Sequence, residues 1–420
     1  MRFLLSIIVV CLVANWTEFA VSQTIRAAIQ KDDSAAIEAA VKKNPESLQK
    51  MASNRDTPLH FAIQQRKLAS VKKLLDLGAD VNAADRRKFT PLHLAIQYRN
   101  KNVLNAILAK NPNVNAKNNN GLTPLMMAIS YSIEESTIKK MMDLKPDLQL
   151  TNRQKQTLLH IACQSRRVEI ANLLIEQGAK IGVKDQQGGT AFSYALRYGM
   201  VETCKKLMEK GATLSDQPDK QGQTLLHQAC QSGKIELVDM VIGQFQEVNI
   251  ENNWGQTPLL AAIYSGHDKV VQRLIDKGAN VNAQLKRSGG NTPLMAAINS
   301  GRLPAIKALL AADADPNIAN DQKLTPLHSL MTAQGIVLSM QNAKPKDRKK
   351  QLKPYMDAIQ LLLENKADAN LKDRSNNTPL MLAANAGFYE AVELLCDSTT
   401  ELNFSIGGQS MLHWLSLIHI

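Results

Sequence analysis

The stretch that decides the fold is Thr57-Pro58-Leu59-His60-Phe61-Ala62, because it returns 33 residues later as Thr90-Pro91-Leu92-His93-Leu94-Ala95. Variants begin at Thr123, Thr157, Thr190, Thr224, Thr257, Thr292, Thr325 and Thr378, with a weak last copy at Ser410. Successive starts lie 33, 33, 34, 33, 34, 33, 35, 33, 53 and 32 residues apart. A period of this size means stacked units, none of which can bury its apolar face alone.

Each unit has the same local logic. Thr can cap a helix, and Pro suits its first turn because no N–H partner is needed there. A short helix with small Ala on its packed side leads through a tight turn to a second helix. Val71, Leu74 and Leu75 mark that helix's apolar face. Gly78-Ala79 follows, as do Gly178-Ala179, Gly211-Ala212 and Gly278-Ala279, the expected left-handed end of a helix. Asp80-Val81-Asn82-Ala83 then reads as extended chain entering a polar turn.

This pattern resembles the ankyrin repeat, through its TPLH motif and its Gly-Ala-Asp-Val-Asn-Ala tail. The resemblance implies an all-α solenoid of helix-turn-helix units with β-hairpin tips, covering residue 25 to the end. Residues 25–30 and Ser34–Lys43 are expected as two helices of an N-terminal capping repeat spanning 23–56. Ten repeats are expected over 57–409 and an incomplete one over 410–420. A chain of 420 residues would otherwise suggest two to four separate domains.

Composition agrees with a stack of similar aliphatic contacts. Aromatic residues make up only 4% against 44% hydrophobic overall, and charged residues are an ordinary 21%, which excludes long-range disorder and collagen-like sequence. Met1-Arg2, the apolar run 3–14 and the small residues of Ala20-Val21-Ser22 form the layout of a signal peptide over 1–22, cut before Gln23. Twelve residues of helix reach about 18 Å, short of a hydrocarbon core of about 30 Å. The mature chain is therefore expected to be exported, secreted or periplasmic. Asn376 and Asn403 head glycosylation sequons that matter in a eukaryotic source.

Two places depart from the period. The 53-residue spacing after Thr325 carries a basic insertion at about 334–354, containing Lys344, Lys346, Arg348, Lys349, Lys350 and Lys353 against Asp347. Pro345 and Pro354 suggest an irregular loop, solvated or docking an anionic surface. The last eleven residues, SMLHWLSLIHI, hold no Asp, Glu, Lys or Arg, although a terminal repeat usually presents a polar face. A gene product cut short, or an end that docks another surface, is expected there.

No catalytic constellation emerges. The chain lacks GxxxxGK[ST], HExxH and GxSxG, so it is read as no enzyme, with no cofactor, metal or small-molecule substrate. Six of eight His occupy the TPLH slot, the nearest two, His60 and His93, one repeat apart. Helices pack about 8–10 Å apart, too far for adjacent His to share a zinc ion at about 2 Å. The ankyrin resemblance instead implies that they bond the backbone of the neighbouring hairpin. Once the leader is removed, Cys163, Cys204, Cys230 and Cys396 are expected as free, mostly buried thiols, because repeat spacing holds them beyond the roughly 7 Å a disulfide allows.

The resemblance also implies that partners bind on the concave side, at hairpin tips and just after the first helix. Counted from each Thr, position +8 is Tyr98, Tyr131 and Tyr198, position +7 gives Tyr264 and Arg197, and position +9 gives Arg66, Arg99 and Arg166. The tips add Arg86, Arg87, Lys88 and Phe89 in one repeat and Trp254 in another. Tyr, Arg and Trp are the residues enriched at binding hot spots. Residues 23–210 carry 30 basic and 17 acidic residues, whereas 211–420 carry 19 and 20. The expected partner of this monomeric scaffold is a protein, acidic if it docks on the basic half. Charge-driven binding to an anionic polymer or membrane surface is the alternative, and the export signal argues against nucleic acid.

Overall fold

Thr90 shows why the repeated motif starts a helix. Its backbone is extended, its hydroxyl accepts from the His93 N–H, and Pro91 sits at the first helical position. The helix Pro91–Gln97 then runs only seven residues, burying every residue from Pro91 to Ile96. The second helix of the repeat, Lys101–Leu108, buries Val103, Leu104, Ile107 and Leu108 at helical spacing. Helices this short are not stable alone in water, so their stability comes from packing against the next pair.

The computed structural model describes residues 24–49, 56–214, 217–245, 247–285, 287, 289–332, 345–398, 405–406 and 409–410. It falls into two compact units, residues 1–195 with 202–212 and residues 196–201 with 213–420. In the first unit, residues 24–30 are helical and Ser34–Lys43 forms the next helix. Helix pairs follow in order: Pro58–Gln64 with Leu68–Asp76, Pro91–Gln97 with Lys101–Leu108, Pro124–Ser130 with Glu135–Asp143, and Leu158–Gln164 with Val168–Glu176. The second unit holds Leu225–Ser232 with Ile235–Gln244, Pro258–Ser265 with Asp268–Asp276, and Pro293–Asn299 with Leu303–Ala311. Pro326–Thr332 with Pro345–Glu364 and Pro379–Asn385 with Tyr389–Cys396 complete it. Among the described residues the only strands are Ser405–Ile406 and Gln409–Ser410, an antiparallel pair. Isolated bridges at Lys184–Thr190 and Leu285–Asn291 close two of the hairpins. This is the all-α solenoid with hairpin tips that the ankyrin resemblance implied.

A single imidazole joins each His-bearing repeat to the next. The Thr57 N–H donates to His60 Nδ1 at 3.2 Å, and the Thr57 hydroxyl lies 2.8 Å from the same nitrogen. On the other side, His60 Nε2 lies 3.1 Å from the Phe89 carbonyl of the following hairpin. A carbonyl can only accept, so Nε2 carries the proton and Nδ1 is the acceptor. His93 repeats the bridge to Leu122, His160 to Gly189, His227 to Gln256 and His328 to Asn377. The implied role of these histidines is thus their observed one, except for His413, which lies outside the described residues. Where the slot holds Met126 or Met295, the side chain is fully buried and Thr still caps the helix.

The hairpins add further links between repeats. Asp85 Oδ1 accepts from the N–H groups of Arg87 and Phe89, which forms the tip. Asn118, Asp185 and Asn320 shape their own tips in the same way. Each tip then bonds its neighbour: Asn119 N–H to Arg87 O, Arg153 N–H to Asn120 O and Gln186 N–H to Gln154 O. Ahead of the tips, Asn82 Oδ1 accepts from Asn113 N–H and Asn115 Oδ1 from Asp147 N–H.

The insertion differs from the expected loop. Residues 345–354 open the 20-residue helix Pro345–Glu364, which contains Pro354. Pro345 needs no N–H partner at a helix start, and the Lys, Arg, Gln and Leu that follow are good helix formers. The lower half of this helix buries Leu352, Ala358, Ile359 and Leu362 as the repeat's second helix. The extra residues therefore prolong an element already anchored in the core, and one interior Pro does not outweigh that anchorage. Lys344 lies outside the described residues, and Lys350 and Lys353 are exposed on the helix.

Burial holds His60, His93, His160, His227 and His328 below the ordinary imidazole range, His93 down to about 4, against the opposing effect of their carbonyl partners. Above pH 6.5, folded and unfolded imidazoles are both neutral. As the pH falls through that value, the unfolded chain takes up protons that the folded chain refuses. Stability should therefore decline with acidification, by about 1.4 kcal/mol per pH unit for each His that resists protonation. Urea unfolding at about pH 7.5 and about pH 5 measures this. His93→Met, which imitates Met126, should flatten the dependence.

Candidate interaction surface

The turn between the two helices of a repeat forces a left-handed residue at position +9. That residue is Arg66, Arg99, Ser132 and Arg166 in the first unit, with φ of 57°, 51°, 54° and 56°. In the second unit it is Gly199, Gly233, Gly266, Gly301 and Gly387. An L side chain in this region is strained, and glycine is the usual solution. The three Arg side chains at this turn are exposed.

Beside them, position +8 places the predicted tyrosines at the end of the first helix. Tyr98 and Tyr198 are half-buried, and Tyr131 is 37% exposed. In the second unit Tyr264 is 50% exposed and Trp254, on the tip of the same repeat, 48%. Gln156 Nε2 reaches Gln164 Oε1 at 3.4 Å, and Gln223 pairs likewise with Gln231 at 3.3 Å. The residue before Thr and the residue at +7 thus share one face within a repeat, which puts Tyr264 on the hairpin side of its helix.

Two predicted positions serve the stack. Phe89 is half-buried, with its ring centroid 5.5 Å from His93 and the Arg87 guanidinium 4.8 Å above it. Arg197 is half-buried, and its Nε bonds Gln228 Oε1. Arg167, next to Arg166, donates to the Ile133 carbonyl at 3.0 Å and lies 3.7 Å from Glu135, so it braces the preceding turn. Arg302 and His267 do the same in the second unit, reaching the carbonyls of Gly266 and Gln231. Arg86 and Arg87 are exposed at their tip, Arg87 paired loosely with Asp85 at 3.6 Å.

The tips expose the expected Lys88 and, beyond the expected set, Arg153, Lys155 and Lys184. A count backward from Thr finds Lys155, since it and Lys88 both stand two residues before Thr and both have φ of 59°.

The cysteines stand where the repeat spacing put them. Cys163, Cys204 and Cys230 are buried, Cys396 is half-buried and all four are free thiols. Burial raises all four thiol pKa values, Cys204 to about 12. Among the described residues no group of three His, Cys, Asp or Glu could hold a metal ion, and no helix is long and apolar enough to cross a membrane.

A family profile described as Ankyrin repeats (3 copies) matches residues 24–118, 104–185, 177–252, 226–320 and 351–417, so the chain belongs to the ankyrin-repeat family. It is 27% identical to Rabankyrin-5 of Mus musculus over 155 residues, 36% of this chain and 13% of that protein. It is 34% identical to the E3 ubiquitin-protein ligase KEG of Arabidopsis thaliana over 118 residues, 28% of this chain and 7% of the relative. A putative ankyrin repeat protein of Rickettsia bellii is 27% identical over 142 residues, 34% of this chain and 78% of its own length. The chain thus spans a small fraction of Rabankyrin-5 and KEG. What it shares with all three is a repeat whose general use is protein–protein interaction.

Backbone strain at +9 sets a stability test. Arg66→Gly and Arg99→Gly should each stabilise the fold, by up to about 1 kcal/mol, because strain relief exceeds the added freedom of the unfolded chain. Gly233→Ala should destabilise it, since φ there is +71° and a Cβ would come within 2.5 Å of His267 Nδ1. Denaturant midpoints of the three variants measure the order.

Proposed function

We propose that this chain is an exported ankyrin-repeat scaffold that binds a folded protein through its concave face and hairpin tips, without catalysis of its own. The supporting observation is where its large apolar side chains reach solvent. Among the described residues five are exposed, and three of them, Tyr131, Trp254 and Tyr264, occupy slots singled out for binding. The other two, Ile235 and Tyr389, begin second helices. An exposed aromatic on a hydrogen-bonded frame is a pre-organised anchor, because little freedom is left to lose when a partner arrives.

The leader supports export, since Phe3 to Ala14 is apolar and small residues precede Gln23. The absence of a nucleophile–base pair among the motifs, and the raised thiol pKa values, support a binding role over an enzymatic one. Exposed Arg66, Arg99 and Arg166 beside the tyrosine slot would supply the charged rim that orients an acidic partner.

The test is affinity capture with the chain from Gln23 onward, followed by identification of what it retains. Tyr131→Ala combined with Tyr264→Ala should lower retention tenfold or more while leaving the unfolding midpoint in place. Undiminished capture by that double variant would move the binding site elsewhere.

A further inference from the structure

The hairpin tips of the first unit form a basic ridge, and we infer that this ridge docks an extended acidic polypeptide segment. Its exposed cations are Arg86, Arg87, Lys88, Arg153, Lys155 and Lys184. The two carboxylates of these hairpins, Asp85 and Asp185, are mostly spent on the hairpin backbone, although Asp85 Oδ2 also lies 3.6 Å from Arg87 Nε. Asp85 is 6% exposed, and its Oδ1 accepts from the Arg87 and Phe89 N–H groups. Asp185 is 7% exposed, accepting from Gln187 and Gly189 N–H groups and from the Tyr194 hydroxyl at 2.7 Å. The intervening tips use neutral Asn118 and Asn152 for the same turn. The tips of the second unit are more mixed, since Lys220, Lys286, Arg287, Lys323, Lys372 and Arg374 stand with four acids, Asp219, Glu251, Asp321 and Asp373, whereas the six cations of the first unit stand with Asp85 and Asp185.

The ridge is cross-linked along its length. Backbone bonds from Asn119 to Arg87, Arg153 to Asn120 and Gln186 to Gln154 tie four consecutive tips together. Lys117 adds a strut to the Thr151 carbonyl at 2.7 Å. Neighbouring repeats stand about 8–10 Å apart, which is about three residues of extended chain. A segment with an acid at every third residue would bring carboxylates to the cations of the first, third and fourth tips and would cross the neutral tip 118–122 between them. The amides of Asn119, Asn120, Gln154 and Gln186 stand between the cations and offer donors and acceptors to its peptide groups.

The same surface is poorly built for single-stranded nucleic acid, which needs exposed aromatic platforms. Phe89 is the aromatic nearest this ridge in sequence, and it is held between His93 and Arg87. A membrane would engage a broad face rather than one row of tips. This inference deepens the scaffold reading and rests on it.

The probe is a dye-labelled (Glu-Ser-Gly) peptide of about five repeats, with its Gln counterpart as control, followed by anisotropy at about 50 and about 200 mM salt. Lys88→Gly with Lys155→Gly should weaken binding tenfold or more and reduce the salt slope. Glycine suits the left-handed backbone at both positions, so the fold is retained. Lys323→Gly, at the same slot with φ of 58° in the second unit, should leave binding unchanged. Equal loss from both replacements would overturn the ridge. Tighter binding to phosphatidylserine vesicles or to a single-stranded oligonucleotide of equal charge would overturn the polypeptide assignment. Tyr131→Ala with Tyr264→Ala should not alter peptide binding. If capture depends on those tyrosines while the peptide ignores the ridge, the ridge fails and the scaffold stands. If the peptide follows the ridge while capture retains no protein, the scaffold reading fails and the ridge chemistry stands.

Discussion

The rest of the structure depends on one buried imidazole with two distinct nitrogens. Nδ1 closes the cap of its own helix by accepting from Thr, and Nε2–H donates to a carbonyl 29 residues away in the next hairpin. One side chain therefore fixes the start of a helix and the position of the neighbouring repeat. The bridge requires the neutral ring, because a proton on Nδ1 would remove its acceptor. Burial enforces that state, and the low imidazole pKa values follow from it. Repeats with Met or Leu in this slot keep the Thr cap and fill the space with apolar volume. The stack can mix both solutions since hairpin-to-hairpin bonds run beside the imidazole bridges.

A second constraint recurs beside the first. Wherever the turn is described, a repeat passes through a left-handed residue after its first helix, after most second helices and at the hairpin tip. Glycine meets most of these demands. Among the described residues thirteen non-glycine positions also do so, and eight of them are Lys or Arg. Such residues carry a backbone cost that their side chains do not recover through contacts in the core. That cost falls where the surface is basic, and the charge of the first unit is concentrated on turns and tips rather than spread over helices. The rigid frame and the strained, charged positions are two outcomes of the same packing.

Much of this was legible from the chain alone. The Thr-Pro starts and the helices at 25–30 and Ser34–Lys43 follow from local patterns that the structure repeats, and the role of the histidines is the one the ankyrin resemblance implied. The insertion was not legible. Its two prolines suggested a break, yet residues 345–354 are helical because Leu352 and the side chains beyond it already anchor the element. Arg197 and Phe89 matched the residue types of a binding site. Their partners, Gln228 and His93, turn both toward the frame. Lys155 was hidden because the register it shares with Lys88 appears only when counted back from the following Thr.

The sequence by itself determined the repeat, its helix starts and the excess of positive charge before residue 211, because each is set by residues within one period. The tertiary structure decided which charged and aromatic side chains face solvent and which brace a neighbour. Arg166 is exposed and Arg167 is a strut, although they are adjacent and chemically alike. Their difference arises from the carbonyl of Ile133 in the preceding repeat, a partner that period and composition alone do not identify.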